Sequence, residues 1–489
     1  MLRYLLIFYV FLFFLFIENI EGQVNTEPVF PVTEQIPLGK SYDPANPFPD
    51  QWNYFPQTKD ILKSKREQED AARQNGNRQT MQQFNLQPPP DKEQTTHWDY
   101  YDKQTLRRIE LAKELFDVIN VDSYTPINPN LANKVATVEK KFQLANPKSY
   151  DLVDNSKFFI EAAKELNQML ADSIPINLKH AVFISENAYY SNTKNYQNFC
   201  KQVDSLVWIC KQVLKDKGFS EDNKMACNSA IQKLFADTIK YTLPNGKKAT
   251  FYPLAYDFDD CWCDKDFEKM FVTKLLNTKT GQCHSMPLLY LIIAQELKTD
   301  AYITIAPLHS YIKFPVGNFL FSFECTNGVL TADDWIVASG YVSSLAVKNK
   351  IYLYPLTLKQ TIAECLVDLG GHYQQRFGYD NFVIDCAYVA LKYFPNCLSA
   401  LQVIANNEIA ICANKAKQYD FPSINKYSQF PELKMEFDKM LQLQLDVDAS
   451  GFINIPKDVY DAWHGTLKEE KQRRESEQLK NKMTEQIKN

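Results

Sequence analysis

Residues 278–294 read TKTGQCHSMPLLYLIIA, a short polar turn that runs directly into an apolar segment. The apolar run from Met286 to Ala294 is typical of a buried helix. Pro287 fits only in the first turn of such a helix, because the first N–H groups of a helix have no intrahelical acceptor. The pattern therefore predicts a central helix with Cys283 at or just before its N-terminus. Unpaired N–H groups at that position favour a thiolate over a thiol.

Residues 301–328 read AYITIAPLHSYIKFPVGNFLFSFECTNG, which predicts two β runs around the four-residue turn 315–318. A simple antiparallel hairpin with that turn places His309 opposite Glu324. Opposite residues share a face of the sheet, with Cβ atoms about 4.5–5.5 Å apart. We therefore expect Glu324 to orient the His309 imidazole and to raise its pKa, so that the ring can hold a proton taken from a thiol.

These residues together predict a nucleophilic cysteine site. Cys283 is the nucleophile, His309 is the general base and later the acid, and Glu324 is the orienting carboxylate. Backbone N–H groups at the start of the helix, or a nearby side-chain amide, are candidates for stabilising an oxyanion. Gln282 and His284 flank the nucleophile and are assigned to this oxyanion or supporting role. The chemistry requires no metal ion and no organic cofactor.

The order of a cysteine, a helix, a strand histidine and a carboxylate resembles the transglutaminase-like superfamily. Its members share a papain-like core with the cysteine at the head of a central helix. The resemblance covers Phe251 to Gly328 and implies attack on the amide carbonyl of a peptide or protein substrate. Three elements carry it: Gly281-Gln282-Cys283 is similar to the family's nucleophile turn, His309 to its strand histidine, and Glu324-Cys325-Thr326 to its acidic residue followed by Thr.

Two positions depart from the family pattern. Asp is common in the family where this chain has Glu324, whose side chain is one methylene longer. Trp often follows the nucleophile in transamidating members, whereas His284 stands here. The resemblance therefore implies hydrolysis more than transamidation. Peptidoglycan stem peptides, secreted proteins and small amides are all compatible substrates.

Composition narrows the class of protein. The chain has 489 residues, of which 45% are hydrophobic and 23% charged, so it is neither wholly disordered nor a multi-span membrane protein. Its net charge of −5 provides no global basic field, so we expect no nucleic-acid partner. Eleven cysteines are too few for a disulfide scaffold, and Cys386 and Cys412 are expected to be buried free thiols.

The N-terminus resembles an export signal. Residues 5–17 are an apolar run after Arg3, short for a membrane span, and Gly22 offers a small residue before a cleavage point. Residues 1–22 are therefore interpreted as a signal peptide, which predicts a secreted or periplasmic protein. Because Ile20 is bulky, the alternative is an uncleaved anchor, the one arrangement that would involve the membrane.

The remaining chain predicts an α+β multi-domain protein. A papain-like, transglutaminase-like core is flanked by all-helical regions, one of them similar to a tetratricopeptide repeat. The predicted boundaries, taken from Pro and Gln content and from helical periodicity, are as follows: a Pro/Gln-rich disordered spacer at 23–96, a helical domain at 97–241, the core at 242–355, the tetratricopeptide-like region at 356–420, and C-terminal helices with a charged tail at 421–489.

The tetratricopeptide-like pattern rests on Leu369-Gly370 and Tyr373, followed by small residues and Pro395. One copy cannot bury its own faces, so packing against the core or against a degenerate second copy at 396–416 is favoured over a peptide-binding groove. An alternative function uses this region. In that alternative the protein is an inactive papain-like scaffold that binds a protein partner through the helical repeats.

Two further motifs point weakly to metal. Residues 446–453 copy the first half of a calcium loop between two predicted helices, but Lys457 stands where a bidentate Glu belongs, so a helix-capping turn is favoured. Cys261 and Cys263 lie among aspartates without a second pair of soft ligands. We interpret that segment as an acidic surface loop near the mouth of the cleft.

Overall fold

The protein is described here by a computed structural model. It covers residues 131–144, 156–260, 263, 265–317, 319–333, 336–337, 341–422, 424–453, 455, 471–473 and 476. The predicted signal peptide, the spacer and the first part of the helical domain lie outside these residues. Among the helices that are described, none combines the length and the apolar character needed to cross a bilayer.

The described residues begin with five helices, and the second and fourth of them confirm the helical periodicity predicted near 156–171 and 198–214. Asparagine begins three of them. The side chains of Asn177, Asn195 and Asn223 each accept a bond from the backbone N–H three residues on, which satisfies one of the unpaired donors of the helix. The bounds are α1 Leu131–Leu144, α2 Lys157–Leu170, α3 Leu178–Tyr189, α4 Tyr196–Asp216 and α5 Lys224–Ala236.

A mixed α/β segment follows. Two short strands form a hairpin, and two more pair in parallel on either side of helix α6. Helix α7 then leads into a four-stranded antiparallel sheet of order β5-β6-β7-β8. The bounds are β1 Ile239–Thr242, β2 Lys248–Phe251, β3 Ala255–Tyr256, α6 Val272–Thr278, β4 Thr280–Gly281, α7 Ser285–Glu296, β5 Tyr302–Ala306, β6 His309–Val316, β7 Phe319–Glu324 and β8 Val329–Thr331.

The predicted hairpin was wrong in two respects. The first segment, expected to be a single β run, forms two strands, β5 and β6, because the chain turns at Pro307 and Leu308. The turn between β6 and β7 has two residues rather than four, since Val316 pairs with Phe319. The register therefore differs by two residues from the predicted one. An even shift keeps every side chain on its predicted face of the sheet.

Helices return after the sheet. The tetratricopeptide-like segment forms the antiparallel pair α9 and α10, which approach closely at Gly370, where an added Cβ would lie 3.3 Å from the Cβ of Cys386. Helix α9 packs mainly against α2 and α3, which lie in the predicted helical domain and not in the predicted core, while α10 packs against the helix at Leu398–Gln418. The region therefore packs within the protein, but the helical domain is a partner that the prediction did not include. The bounds are α8 Ser344–Lys348, α9 Leu358–Phe377, α10 Asn381–Tyr393, α11 Leu398–Gln418 and α12 Pro431–Ala449.

One hydrophobic core joins these parts. It runs from Val135 to Val447 and includes residues of the early helices, of α7, of the sheet and of α9 to α11. Helix α7 lies at its centre, with every residue from Ser285 to Ala294 buried. Because both faces of α7 are covered, its sequence is apolar all round rather than amphipathic.

The calcium-like segment differs from its prediction. Asp446 and Asp448 lie within α12, which continues to Ala449, instead of in a loop between helices. The hydroxyl of Ser450 donates to the carbonyl of Val447 (2.6 Å) and thereby ends the helix. In the part of the chain that the structure describes, no three metal-ligating side chains come together.

Candidate active site

The turn before α7 is built around Gly281. A Cβ at this position would lie 2.7 Å from the hydroxyl oxygen of Ser285 and 3.0 Å from the Cδ1 of Leu275. The close approach lets the Ser285 hydroxyl accept the backbone N–H of Gln282 (3.0 Å). Gly281 therefore allows a tight turn that delivers Cys283 to the start of the helix.

Cys283 is partly exposed at the N-terminus of α7, as predicted. The first bond of helical type joins the N–H of Met286 to the carbonyl of Gln282 (3.0 Å). The N–H groups of Cys283 and His284 precede that bond, which leaves them at the end where a helix attracts negative charge. These two donors are the candidates for an oxyanion site beside the sulfur.

Ser310 links the nucleophile turn to the sheet. Its hydroxyl donates to the backbone carbonyl of Cys283 (2.5 Å), and the residue is fully buried. Ser310 follows His309 directly in β6, so this bond fixes the helix terminus against the strand that carries the histidine. Nothing in the sequence marks Ser310 as part of the site, because a serine in an alternating strand gives no separate signal.

His309 is the first residue of β6 and follows a tight turn. Pro307 occupies the first central position of that turn, and Leu308 has φ of +59° at the second, as in a type II turn. Glycine usually fills that second position, since a β-carbon is crowded there. The local chain therefore holds strain next to His309, a feature common at functional sites.

His309 and Glu324 are in contact. The Nε2 of His309 lies 2.5 Å from the Oε2 of Glu324. Continuing the strand register places Glu324 opposite Tyr311, so the two residues are diagonal neighbours rather than directly opposed. The side chain of Glu, one methylene longer than that of Asp, gives the carboxylate the reach that this diagonal requires.

The other oxygen of Glu324 is held by Thr326. Its Oε1 accepts the backbone N–H (3.0 Å) and the hydroxyl (2.7 Å) of Thr326. The carboxylate is almost fully buried, whereas the His309 side chain is 20% exposed. A carboxylate with both oxygens satisfied is fixed in orientation, and it fixes the imidazole in turn.

The electrostatics of the pair favour charge on both partners. Burial lowers the pKa of His309, but the charge of Glu324 and hydrogen bonds to Cys283 and Glu324 outweigh it and raise this pKa to about 10. Burial raises the pKa of Glu324, yet His309 and Thr326 bring it below its ordinary value. Since Nε2 is occupied by Glu324, Nδ1 is the ring nitrogen that remains for the Cys283 thiol.

Gln282 supports the site from behind. Its side-chain amide donates to the carbonyls of Asp257 (3.2 Å) and Asp260 (2.9 Å), so it holds the acidic loop and does not point an N–H at the Cys283 sulfur. Asp260 is itself buried and accepts the backbone N–H groups of Lys265 and Asp266. The acidic segment thus adjoins the nucleophile turn, with Asp260 in a structural role.

His284 points away from the sheet, into the protein. Its Nδ1 lies 3.1 Å from the carbonyl oxygen of Met270, and its Nε2 lies 3.2 Å from the Oδ2 of Asp368 on α9. Asp368 is 84 residues further along the chain, and nothing in its helical surroundings marks it as part of a site. His284 is therefore recognisable from its position beside Cys283, whereas its partner Asp368 is not recognisable from the sequence.

Comparison with known proteins gives no match: no family model fits the chain, and no curated protein or solved structure is significantly similar to it. The ten cysteines that the structure describes are all free thiols, and Cys386 and Cys412 are buried in helices as expected. The case for a function therefore rests on the geometry of Cys283, His309 and Glu324.

Proposed function

We propose that the protein is a cysteine-dependent hydrolase of amide or peptide bonds with a papain-like, transglutaminase-like core. One observation carries the proposal: the side chains of Cys283, His309 and Glu324 form a continuous chain of contacts at the N-terminus of a buried helix. A helix that presents a cysteine to an antiparallel sheet bearing a histidine and a carboxylate has the parts that such chemistry needs.

The residues divide the reaction between them. His309 takes the proton of Cys283, and the sulfur attacks the carbonyl carbon of the substrate. The N–H groups of Cys283 and His284 stabilise the resulting oxyanion. His309 then gives its proton to the leaving amine, which produces a thioester. Water activated by His309 hydrolyses that thioester and restores the thiol.

Each supporting contact has a part in this scheme. Glu324 keeps His309 protonated after the first transfer, because its charge raises the pKa of the ring. Ser310 fixes the Cys283 carbonyl, so the sulfur and the imidazole stay within reach of each other. Thr326 prevents the carboxylate from rotating away. Together these bonds preorganise the site before a substrate arrives.

The thiol itself provides the test. We would measure the rate at which iodoacetamide alkylates each cysteine between pH 5 and 9, with peptide mass spectrometry to assign the site. Cys200 is also partly exposed and serves as an internal control within the same molecule. We expect Cys283 to react at least about 10-fold faster than Cys200 at pH 6, because the His309 imidazolium stabilises its thiolate.

Variants of the partners complete the experiment. His309→Ala and Glu324→Gln should each remove the advantage of Cys283 over Cys200 at pH 6. The same variants should abolish the hydrolysis of peptide bonds in a broad library of test peptides. If Cys283 alkylates no faster than Cys200 and neither variant alters its rate, the triad is inactive and the protein is a scaffold whose partners should be sought.

A further inference from the structure

We propose that His284 is a buried imidazolium that stabilises the Cys283 thiolate and that Asp368, on helix α9, is the positioning residue that keeps it charged. This inference rests on the proposed function. It adds a second charged pair to the site and makes a C-terminal helix, outside the sequence-predicted core, part of the catalytic apparatus.

The ring contacts argue for two protons on His284. The carbonyl of Met270 can only accept a bond, so the Nδ1 that faces it carries a proton. Nε2 faces the carboxylate of Asp368, so one more proton lies between these two groups. The ring is nine-tenths buried, with its side chain 10% exposed, and water cannot replace either partner.

The surrounding charges place that second proton on the ring. Among the described residues, four titratable groups interact with it, from the turn before α7, from α9 and from α3. Burial lowers the pKa of His284, but the charge of Asp368, the bonds to Asp368 and Met270 and the charge of Cys283 outweigh burial and raise this pKa to about 9. The four groups are Cys283, Asp368, His372 and Glu186.

His372 shows that the charge is specific to His284. The pKa of His372 falls to about 4 because burial and the charge of His284 lower it by more than the charge of Asp368 and the bond to Ser185 raise it. Its ring packs against Phe271 at 4.7 Å between centroids, and its Nδ1 faces the backbone carbonyl of Ser185 (3.3 Å). Of two neighbouring buried histidines, the one with a carboxylate partner keeps its proton.

The arrangement gives alternating charges around the nucleophile. Cys283 interacts electrostatically with two histidines, and each histidine contacts a buried carboxylate, Glu324 for His309 and Asp368 for His284. An opposite charge within about 4–6 Å favours the ionised form of a group, and His284 adjoins Cys283 in sequence. Removing the charge of either histidine should therefore make the thiolate harder to form.

Two isosteric variants test the inference, with one matched control. Asp368→Asn removes the counter-charge, and His284→Gln removes the imidazolium. Glu364→Gln is the control, because Glu364 is a buried carboxylate on the same helix that bonds Ser399 (2.8 Å) instead of the site. Asp368→Glu, which restores the charge, should recover most of the wild-type behaviour.

The readout is the pH profile of Cys283 alkylation. We expect the pH of half-maximal rate to rise by about 1 unit or more in Asp368→Asn and His284→Gln, which lowers the rate at pH 6 by about 10-fold. The limiting rate at high pH should not change. A merely structural defect would lower the rate at every pH, and Glu364→Gln should leave the profile as it is.

A measurement on the unmodified protein guards against misfolded variants. Nitrogen-15 NMR of the histidine-labelled chain should show both nitrogens of His284 protonated at pH 7. A neutral ring would overturn the inference. The inference would also be wrong if Asp368→Asn and His284→Gln leave the pH profile of Cys283 alkylation unchanged while His309→Ala shifts it. That result would still agree with the proposed function. If His309→Ala also has no effect, the proposed function itself fails.

Discussion

Gly328 joins the sheet that carries Glu324 to the end of helix α5. Its φ is +63°, and its N–H donates to the carbonyl of Glu324 (2.8 Å). A Cβ added here would lie 2.5 Å from the carbonyl oxygen of Phe235 and 2.8 Å from the Cα of Ala236. Both neighbours are backbone atoms of the helix end, so no side chain can move aside to make room.

The change Gly328→Ala should therefore destabilise the protein through two separate effects. The left-handed backbone costs a non-glycine residue about 1–2 kcal/mol. The contact with Phe235 is 0.9 Å closer than the 3.4 Å at which ordinary contact begins, and overpacking of this kind costs about 1–3 kcal/mol. We expect a loss of about 2–5 kcal/mol in the free energy of unfolding, measured by urea denaturation.

Gly317 provides the matched control. It lies in the β6–β7 turn of the same sheet with φ of +60°, and an added Cβ would meet nothing within 4 Å. Gly317→Ala should therefore show the backbone cost alone, about 1–2 kcal/mol. Equal losses of unfolding free energy in the two variants would refute the reasoning that the close contact of Gly328 with the end of α5 adds a packing cost to the backbone cost. A larger loss at Gly328 should be accompanied by slower alkylation of Cys283, because the hairpin carries Glu324.

Two further predictions concern stability. The fold raises the pKa of His284 to about 9 and that of His309 to about 10. The protonated rings therefore stabilise the protein fully below pH 6.5, and this stabilisation is lost as the pH rises from 6.5 through the raised pKa values. For each histidine, the free energy of unfolding should fall by about 1.4 kcal/mol per pH unit between pH 6.5 and its raised pKa. A melting temperature that stays constant from pH 6.5 to 9 would contradict this prediction. Lys313→Met should cost about 3–5 kcal/mol, because it leaves the carboxylate of Asp333 buried without the ammonium that lies 2.5 Å away. In a double-mutant cycle, adding Asp333→Asn should recover part of that loss, and purely additive losses would argue against a coupled pair.

Local sequence rules predicted the parts of the site that depend on neighbouring residues. Pro287 marked the start of α7, and the polar residues before Cys283 marked the turn that leads into it. The alternation of the strands placed His309 and Glu324 on one face, and this survived the wrong turn length because the register moved by two residues. These features follow from steric and hydrogen-bonding limits that act within a few residues.

The contacts of the site were decided by tertiary structure. Whether β6 turns at Gly317 or two residues earlier depends on packing of the whole sheet, so the diagonal pairing of His309 and Glu324 could not be derived from the strand pattern. Asp368 reaches His284 from a helix 84 residues away, and Ser310 reaches the Cys283 carbonyl across the interface between helix and sheet.

The sequence by itself thus determined which residues stand at the head of the helix and on the strand face, because backbone geometry and hydrophobic periodicity are local. It also predicted that Glu324 raises the pKa of His309, whereas only the tertiary structure decided the charge of His284 and His372. The ionisation of His284 and His372 depends on burial and on partners from distant elements. The two buried rings differ because His284 bonds the carboxylate of Asp368, whereas the ring of His372 packs against Phe271.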